Sequence, residues 1–338
     1  MAERSRRPRA LFVLREDAYQ RIYGPEQRAA IDELVEIVGP PRTAEELAAD
    51  GSVLRDVEVV LSGWGAPLMD AAFVERAPAL RLVLYGAGSV RGFVTDALFV
   101  RGITVSSAGA ANAIPVSEFA VAAILLSLKH VWRFARRRPV DTHDPEKQAV
   151  PGGYHSVVGL AGLGAIGRLV RRRLEPFDLR VLAYDPYCSP EDARALNVEL
   201  VGLDELFAKS IVVSLHVPLY AATRELITRR QLSLLPPGAT FINTARGRLV
   251  RHDDLAEVLA ERPDLEAVLD VTYPEPLPDG HPLLGLPNVV LTPHIAGSLG
   301  PECRRLGDLV VSDLRHYVAG EPLEHAVDPK LLPIQAEP

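Results

Sequence analysis

A chain of 338 residues is too long for one ordinary hydrophobic core, so two domains are expected. Its 48% hydrophobic and 24% charged residues suit a soluble globular protein, and a formal net charge of −7 gives no global attraction to nucleic acid or anionic membrane. Residues 119–128, the longest apolar run, make about half a membrane span, and the apolar stretch before Arg15 is too short for a secretory signal. Cys188 and Cys303 are far apart in sequence and lack metal-ligand spacing, so no metal is expected and a reducing, cytoplasmic compartment fits best.

Short apolar runs alternate with helical patterns, which predicts parallel α/β architecture. In the first third, strands are predicted over 10–14, 57–62, 80–85 and 103–106, with helices over 26–37 and 68–76. A long helix is predicted over 116–134, with Pro115 in its first turn and Arg136, Arg137 and Arg138 at its end. It is apolar nearly all round, which predicts burial on more than one face. Residues 137–153 read as a loop. A second α/β unit follows, with strands over 157–161, 180–184, 211–214, 240–242, 267–270 and 289–291, then a helix over 301–318. Arg171, Arg172 and Arg173 read as a solvated face.

Gly162-Leu163-Gly164-Ala165-Ile166-Gly167 joins an apolar strand to a helix, the setting in which a glycine loop admits a pyrophosphate at a helix N-terminus. Asp185 closes the next strand, where a carboxylate can accept hydrogen bonds from the adenosine ribose and repel a 2′-phosphate. NAD is therefore expected, with NADH favoured over NADPH. Arg246, Glu275 and His294 each follow a predicted strand, and the carboxyl ends of parallel strands are where open α/β sheets bind ligands. A guanidinium grips a carboxylate through two parallel hydrogen bonds, and an imidazolium gives a proton to a carbonyl oxygen. A nearby carboxylate holds that imidazole charged and oriented. Together they read as a dehydrogenase of 2-hydroxy acids.

From about Leu80 to Gly320 the chain resembles the D-2-hydroxyacid dehydrogenase family, which includes glyoxylate/hydroxypyruvate reductases, D-lactate dehydrogenases and phosphoglycerate dehydrogenases. The resemblance rests on H-V-P-L-Y-A-A-T-R from His216, G-A-T-F-I-N-T-A-R-G-R-L-V from Gly238, L-D-V-T-Y-P-E-P-L from Leu269 and T-P-H-I-A-G-S from Thr292. It implies that Arg246 clamps the substrate, that His294 donates the proton and that Glu275 is its acid partner. It further implies that Ala165, Ile166, Asp185, His216, Val217, Pro218, Thr223, Thr244, Ala245, Asp270 and Gly297 line the dinucleotide with the three loop glycines. Asp270 equally suits a strand-end cap.

The first domain departs from the family. Relatives carry a G-V-D-N-V-D-like string where this chain has Gly88-Ser89-Val90-Arg91-Gly92-Phe93. The backbone N–H groups of Ala87 and Gly88 remain suited to a substrate carboxylate. Trp64 falls where the family places a pocket-lining loop, although a packed tryptophan is as good a reading. Arg91 reads as a solvated arginine or as a partner for a second anionic group. With Val90 and Phe93 in place of acids, a less polar pocket wall is expected, favouring a larger apolar 2-keto acid over glyoxylate.

The expected protein is a two-domain NAD-dependent oxidoreductase acting between a 2-keto acid and a D-2-hydroxy acid. Its Rossmann-like/flavodoxin-like parallel-sheet domains flank a cleft: residues 1–108 with 295–338 hold the substrate, and 109–294 bind the dinucleotide. The long helix, which the resemblance places at a dimer interface, implies a homodimer. An NAD(H)-sensing binding protein on the same fold is the alternative, and it would need only the glycine loop and Asp185. A formate dehydrogenase is disfavoured by Glu275, where that branch resembles this site with an amide. A regulatory-tailed phosphoglycerate dehydrogenase is disfavoured by the short stretch after His294.

Overall fold

Five runs rich in branched residues form an all-parallel sheet in the first of two units, which takes residues up to Asn112 and those from Ser298 onward. The strands are β1 (Arg9–Val13), β2 (Glu36–Ile37), β3 (Val59–Ser62), β4 (Leu82–Tyr85) and β5 (Thr104–Ser107), in the order β2-β1-β3-β4-β5. The computed structural model describes residues 6–136 and 142–334. Both faces of this sheet are covered, which is why its strands are apolar at nearly every position rather than alternating. Leu11, Val13, Val60, Val83 and Val105 face a core with Phe73 and Leu98. Ala10, Phe12, Val59, Leu61, Leu82 and Leu84 face another, closed by Leu306, Val310 and Leu314 of helix Cys303–Ala319.

Two expectations for this unit change. The helix expected over 26–37 is Pro25–Leu34, because Val35 is extended (φ −134°, ψ 165°) and leads into β2, which pairs with β1. β-Branched Val35 and Ile37 suit that edge strand better than a helix end. Val90 and Phe93, expected in a pocket wall, are 1% and 4% exposed and belong to the core, where the Phe93 ring lies 4.5 Å from that of Tyr85. The argument for an apolar substrate loses both residues, since the acids they replace give way to packing.

The second unit, Ala113–Gly297, holds seven parallel strands. They are β6 (Val157–Ala161), β7 (Arg180–Tyr184), β8 (Glu199–Leu200), β9 (Val212–Leu215), β10 (Thr240–Asn243), β11 (Glu266–Leu269) and β12 (Val289–Leu291). Their order is β12-β11-β10-β9-β6-β7-β8, so the first strand lies inside the sheet and the winding reverses between β6 and β9. Such a reversal opens a crevice at the carboxyl ends of the strands.

The long helix runs Gly109–Ser127 instead of 116–134, with Pro115 inside it rather than in its first turn. It stops because Leu128–His130 turn: the Leu128 carbonyl accepts a hydrogen bond from the Gly152 N–H, and His130 has φ +51°. A separate helix, Val131–Arg136, follows, ending at Arg136; Arg137 and Arg138 lie outside the described residues. Ala120, Ala123, Ile124 and Leu128 pack into the second unit's core. Leu126 stays 38% exposed, so the expected burial all round is not met within one chain. Although long and apolar enough to cross a membrane, this helix packs as a core helix on that side. Of the three arginines read as a solvated face, Arg171 is 5% exposed and donates to the Asn197 carbonyl.

Candidate active site

The expected site residues of the second unit sit in loops that leave the carboxyl ends of its strands, except Ala165, Ile166 and Gly167, which open helix Ala165–Arg173 just beyond one. The loop after β6 is a close-packed turn. Gly162 has φ +99°, and a Cβ there would lie 2.7 Å from the His216 backbone; one on Gly167 would lie 2.0 Å from the Gly162 carbonyl oxygen. Only glycine satisfies both. A Cβ on Gly164, by contrast, would meet nothing within 4 Å, so this part of the loop is open just where helix Ala165–Arg173 begins. Uncapped helix N–H groups facing open space suit a pyrophosphate.

Asp185 stands at the end of β7 and ties this loop together. Its Oδ2 accepts from the Leu163 N–H at 2.7 Å, and its Oδ1 accepts from the N–H groups of Tyr187 (2.8 Å) and Cys188 (3.1 Å). Nearby, Arg168 donates to the Leu163 carbonyl at 2.9 Å and to Asp192 at 3.0 Å. After β9, the Thr223 hydroxyl closes a local turn by donating to the Pro218 carbonyl at 2.7 Å, with Val217 buried beside it and Pro218 exposed. At these strand ends, both ring nitrogens of His216 and the Thr244 hydroxyl after β10 are buried without a hydrogen-bond partner among the described residues. Burial pushes the His216 imidazole down to about 4. The open turn, the anchored acid and these orphaned groups fit a dinucleotide.

Beyond β10, Asn243 shapes the turn that presents Arg246: its side chain accepts from the Ala245 N–H and donates to the Arg246 carbonyl, both at 3.0 Å. Ala245 itself is half-buried. The Arg246 guanidinium donates to the Ala245 carbonyl at 2.8 Å. Burial lowers its pKa, and the negative charge of Glu275 opposes that shift. A guanidinium held in this way is short of water and suited to an anionic partner.

His294 is in the left-handed region, φ +55°, a strained position for a non-glycine residue. Asp270 imposes it. This carboxylate, 2% exposed, accepts from the Thr292 hydroxyl at 2.6 Å and from the N–H groups of Ile295 and Ala296, both at 2.8 Å. Its backbone carbonyl accepts from the His294 N–H at 3.0 Å. Both carboxylate oxygens are therefore engaged in shaping the loop that ends at half-buried Gly297.

His294 Nδ1 lies 2.7 Å from Glu275 Oε1. An ionised carboxylate only accepts, so the proton lies on Nδ1 and Nε2 faces away from Glu275. The pair borders a cavity of about 490 Å³ whose apolar wall includes Leu277, Leu284 and Leu291.

Gly247 and His252 escaped the sequence reading, although both fix these loops. A Cβ on Gly247 would lie 2.0 Å from the Thr272 carbonyl oxygen, and the Tyr273 N–H donates to His252 Nε2 at 3.1 Å. Gly247 was visible as the glycine after Arg246, but nothing in the sequence singled out His252.

In the first unit, the Ser107 hydroxyl lies 2.5 Å from the Gly88 carbonyl and 3.2 Å from that of Ala87. Ala87 is 1% exposed. Trp64 is half-buried against both cores of this unit, with the Arg21 guanidinium 5.3 Å from its ring centre. Its packing accounts for the ring. Arg91 is half-buried beside Ser89.

Residues 121–296 match the D-isomer specific 2-hydroxyacid dehydrogenase, NAD binding domain. The chain is 34% identical over 265 residues to a D-3-phosphoglycerate dehydrogenase of Mycobacterium tuberculosis, covering 78% of this chain and 50% of the relative. It therefore spans about half the length of such relatives. It is 33% identical over 301 residues to a glyoxylate reductase of Thermofilum pendens, with 87% of each covered. Among solved structures it is similar to Rhodotorula graminis D-mandelate dehydrogenase, with TM-score 0.78, 25% identity and coverage of 95% of this chain and 98% of that one.

Proposed function

Because this chain belongs to the D-isomer specific 2-hydroxyacid dehydrogenase family, we propose that it interconverts a 2-keto acid and a D-2-hydroxy acid with NAD(H). The observation that carries this reading is the 2.7 Å contact between His294 and Glu275, at the carboxyl ends of strands that also carry half-buried Arg246. The bound nicotinamide supplies or accepts the hydride. Arg246 grips the carboxylate and polarises the carbonyl of a keto acid. His294 delivers a proton from Nε2 to the carbonyl oxygen during reduction, and Glu275 holds the imidazole charged and oriented. Asp270 acts by shaping the His294 loop rather than by touching the dinucleotide.

The second unit takes the dinucleotide, and the first takes substrate, with the amides of Ala87 and Gly88 as further carboxylate donors. Asp185 receives the ribose diol, and its charge makes NADH the preferred reductant. Arg168, the nearest cation on the loop's helix, is already engaged by Asp192. A homodimer is supported by the apolar positions of helix Gly109–Ser127 that stay accessible, notably Leu126. A cytoplasmic setting suits the two free thiols, Cys188 and Cys303.

The test is a panel of 2-keto acids (glyoxylate, hydroxypyruvate, pyruvate, phenylpyruvate) with NADH and NADPH, repeated with His294→Ala. Reduction of at least one acid is expected, with kcat for the variant lower by about 10²–10⁴ and NADH binding retained. NADH binding with no turnover of any acid by the wild type would overturn the reading in favour of a sensor.

A further inference from the structure

The segments that carry Arg246 and Glu275 are joined by one histidine. His252 opens helix His252–Glu261 and is 8% exposed. Its Nδ1 lies 3.0 Å from the Val250 carbonyl, on the segment that begins at Arg246. Its Nε2 lies 3.1 Å from the Tyr273 N–H, two residues before Glu275. A carbonyl can only accept and an amide N–H can only donate, so the two partners leave a single protonation state. Nδ1 carries the proton, Nε2 is bare, and the ring is neutral.

We propose that His252 is a positioning residue that sets the Glu275 segment against the Arg246 segment in its neutral form and releases it when protonated. This rests on the function proposed above. A second proton would go to Nε2 and turn it from acceptor to donor. Two N–H groups would then face each other across 3.1 Å, and the Tyr273 amide would lose its partner. Glu275 is carried by the same strap, so its 2.7 Å hold on His294 depends on the protonation of a ring that touches neither.

The charges around the ring come from four elements. Asp253 follows on the helix itself, and its charge favours protonation, while burial opposes it more strongly and keeps the pKa below the ordinary histidine value. Arg251 caps that helix and pairs with Glu225 at 2.9 Å, in the turn that also carries Arg224. Arg248 lies 4.0 Å from the Tyr273 ring centre and donates to its hydroxyl. His281 faces His252 with ring centres 6.4 Å apart, and its charge disfavours a second cation.

Two variants separate positioning from mere packing. His252→Gln retains an acceptor for the Tyr273 N–H but cannot titrate, whereas His252→Leu keeps bulk and loses both bonds. Keto-acid reduction is followed from about pH 8 to about pH 5, with NADH binding measured alongside. His252→Leu should lose about tenfold or more in kcat with little change in NADH affinity, since small misplacements of catalytic groups cost rate steeply. His252→Gln should stay within about threefold of wild type at neutral pH and hold its rate further into acid. Wild-type kcat and pH profile in His252→Leu, or an unmoved acid limb in His252→Gln, would overturn the proposal. Should the wild type reduce no keto acid, the function reading fails separately, and 15N NMR of the histidines still decides the device. A bare Nε2 is expected at neutral pH, and a protonated one would refute it.

Discussion

Gly247 meets Thr272 backbone to backbone: a Cβ on the glycine would lie 2.0 Å from the Thr272 carbonyl oxygen and 2.6 Å from the Tyr273 nitrogen. The loop that presents Arg246 and the strap that leads to Glu275 are thus held at a separation that no side chain allows. Gly247→Ala must push them apart. We expect kcat/KM for the keto acid to fall by about 10²-fold, with a lower unfolding temperature and NADH affinity nearly preserved. Steady-state kinetics and calorimetry check it, and wild-type kinetics would mean the two segments can part without cost to the site.

Glu275→Gln removes the counter-charge 2.7 Å from His294 Nδ1 but keeps an acceptor there. The Nδ1 proton then loses its charge-assisted bond, so kcat for reduction should fall while NADH affinity is retained. A kcat that does not move would make Glu275 a solvated turn residue between two prolines.

Asp185→Ser tests two functions of one carboxylate. Its Oδ2 already anchors the Leu163 N–H at 2.7 Å, so removing it loosens the glycine loop as well as the proposed ribose contact. NADH affinity should fall by about tenfold, equivalent to roughly 1.4 kcal/mol, and the gap to NADPH should narrow because the repelling charge is gone. Titration with both coenzymes reads this directly. A wild type that prefers NADPH would contradict the assignment from the outset.

His216 predicts an acid-sensitive fold. Burial holds its imidazole down to about 4, whereas in the unfolded chain it titrates near the ordinary 6.5. Between those values the unfolded chain binds the proton and the native one does not, so stability rises with pH across that window and is lost on acidification. The loss approaches about 3 kcal/mol by the lower end. His216→Asn should flatten the dependence of the unfolding midpoint between about pH 6.5 and about pH 4. An equally steep dependence in the variant would assign the proton to another group.

Much of this was legible in the sequence because strand ends carry their own marks. The strands Val157–Ala161, Arg180–Tyr184 and Val289–Leu291 fall where their apolar runs predict, and Arg246, Glu275 and His294 follow strands as expected. Periodicity could not show where the long helix stops, since the Leu128 carbonyl is taken by Gly152, a partner distant in sequence. Nor could it show that Val90 and Phe93 face inward, because an apolar residue replacing an acid fits a pocket wall and a core equally well. Asp270 reads alike as a coenzyme ligand or a cap until its carboxylate is seen shared among Thr292, Ile295 and Ala296. His252 carries no motif, and its bonds to Val250 and Tyr273 exist only once two loops have met.

Helix Cys303–Ala319 closes one face of a sheet whose five strands are all finished by Ser107. A ribosome therefore delivers that sheet long before the helix that covers it. Until then this face has only the cover that Tyr19, Tyr23 and Ile31 give it, while the second unit, continuous from Ala113 to Gly297, can already assemble. Order of synthesis thus favours the later-encoded unit as the first to fold, and it leaves the earlier one as the stretch in need of shelter from aggregation.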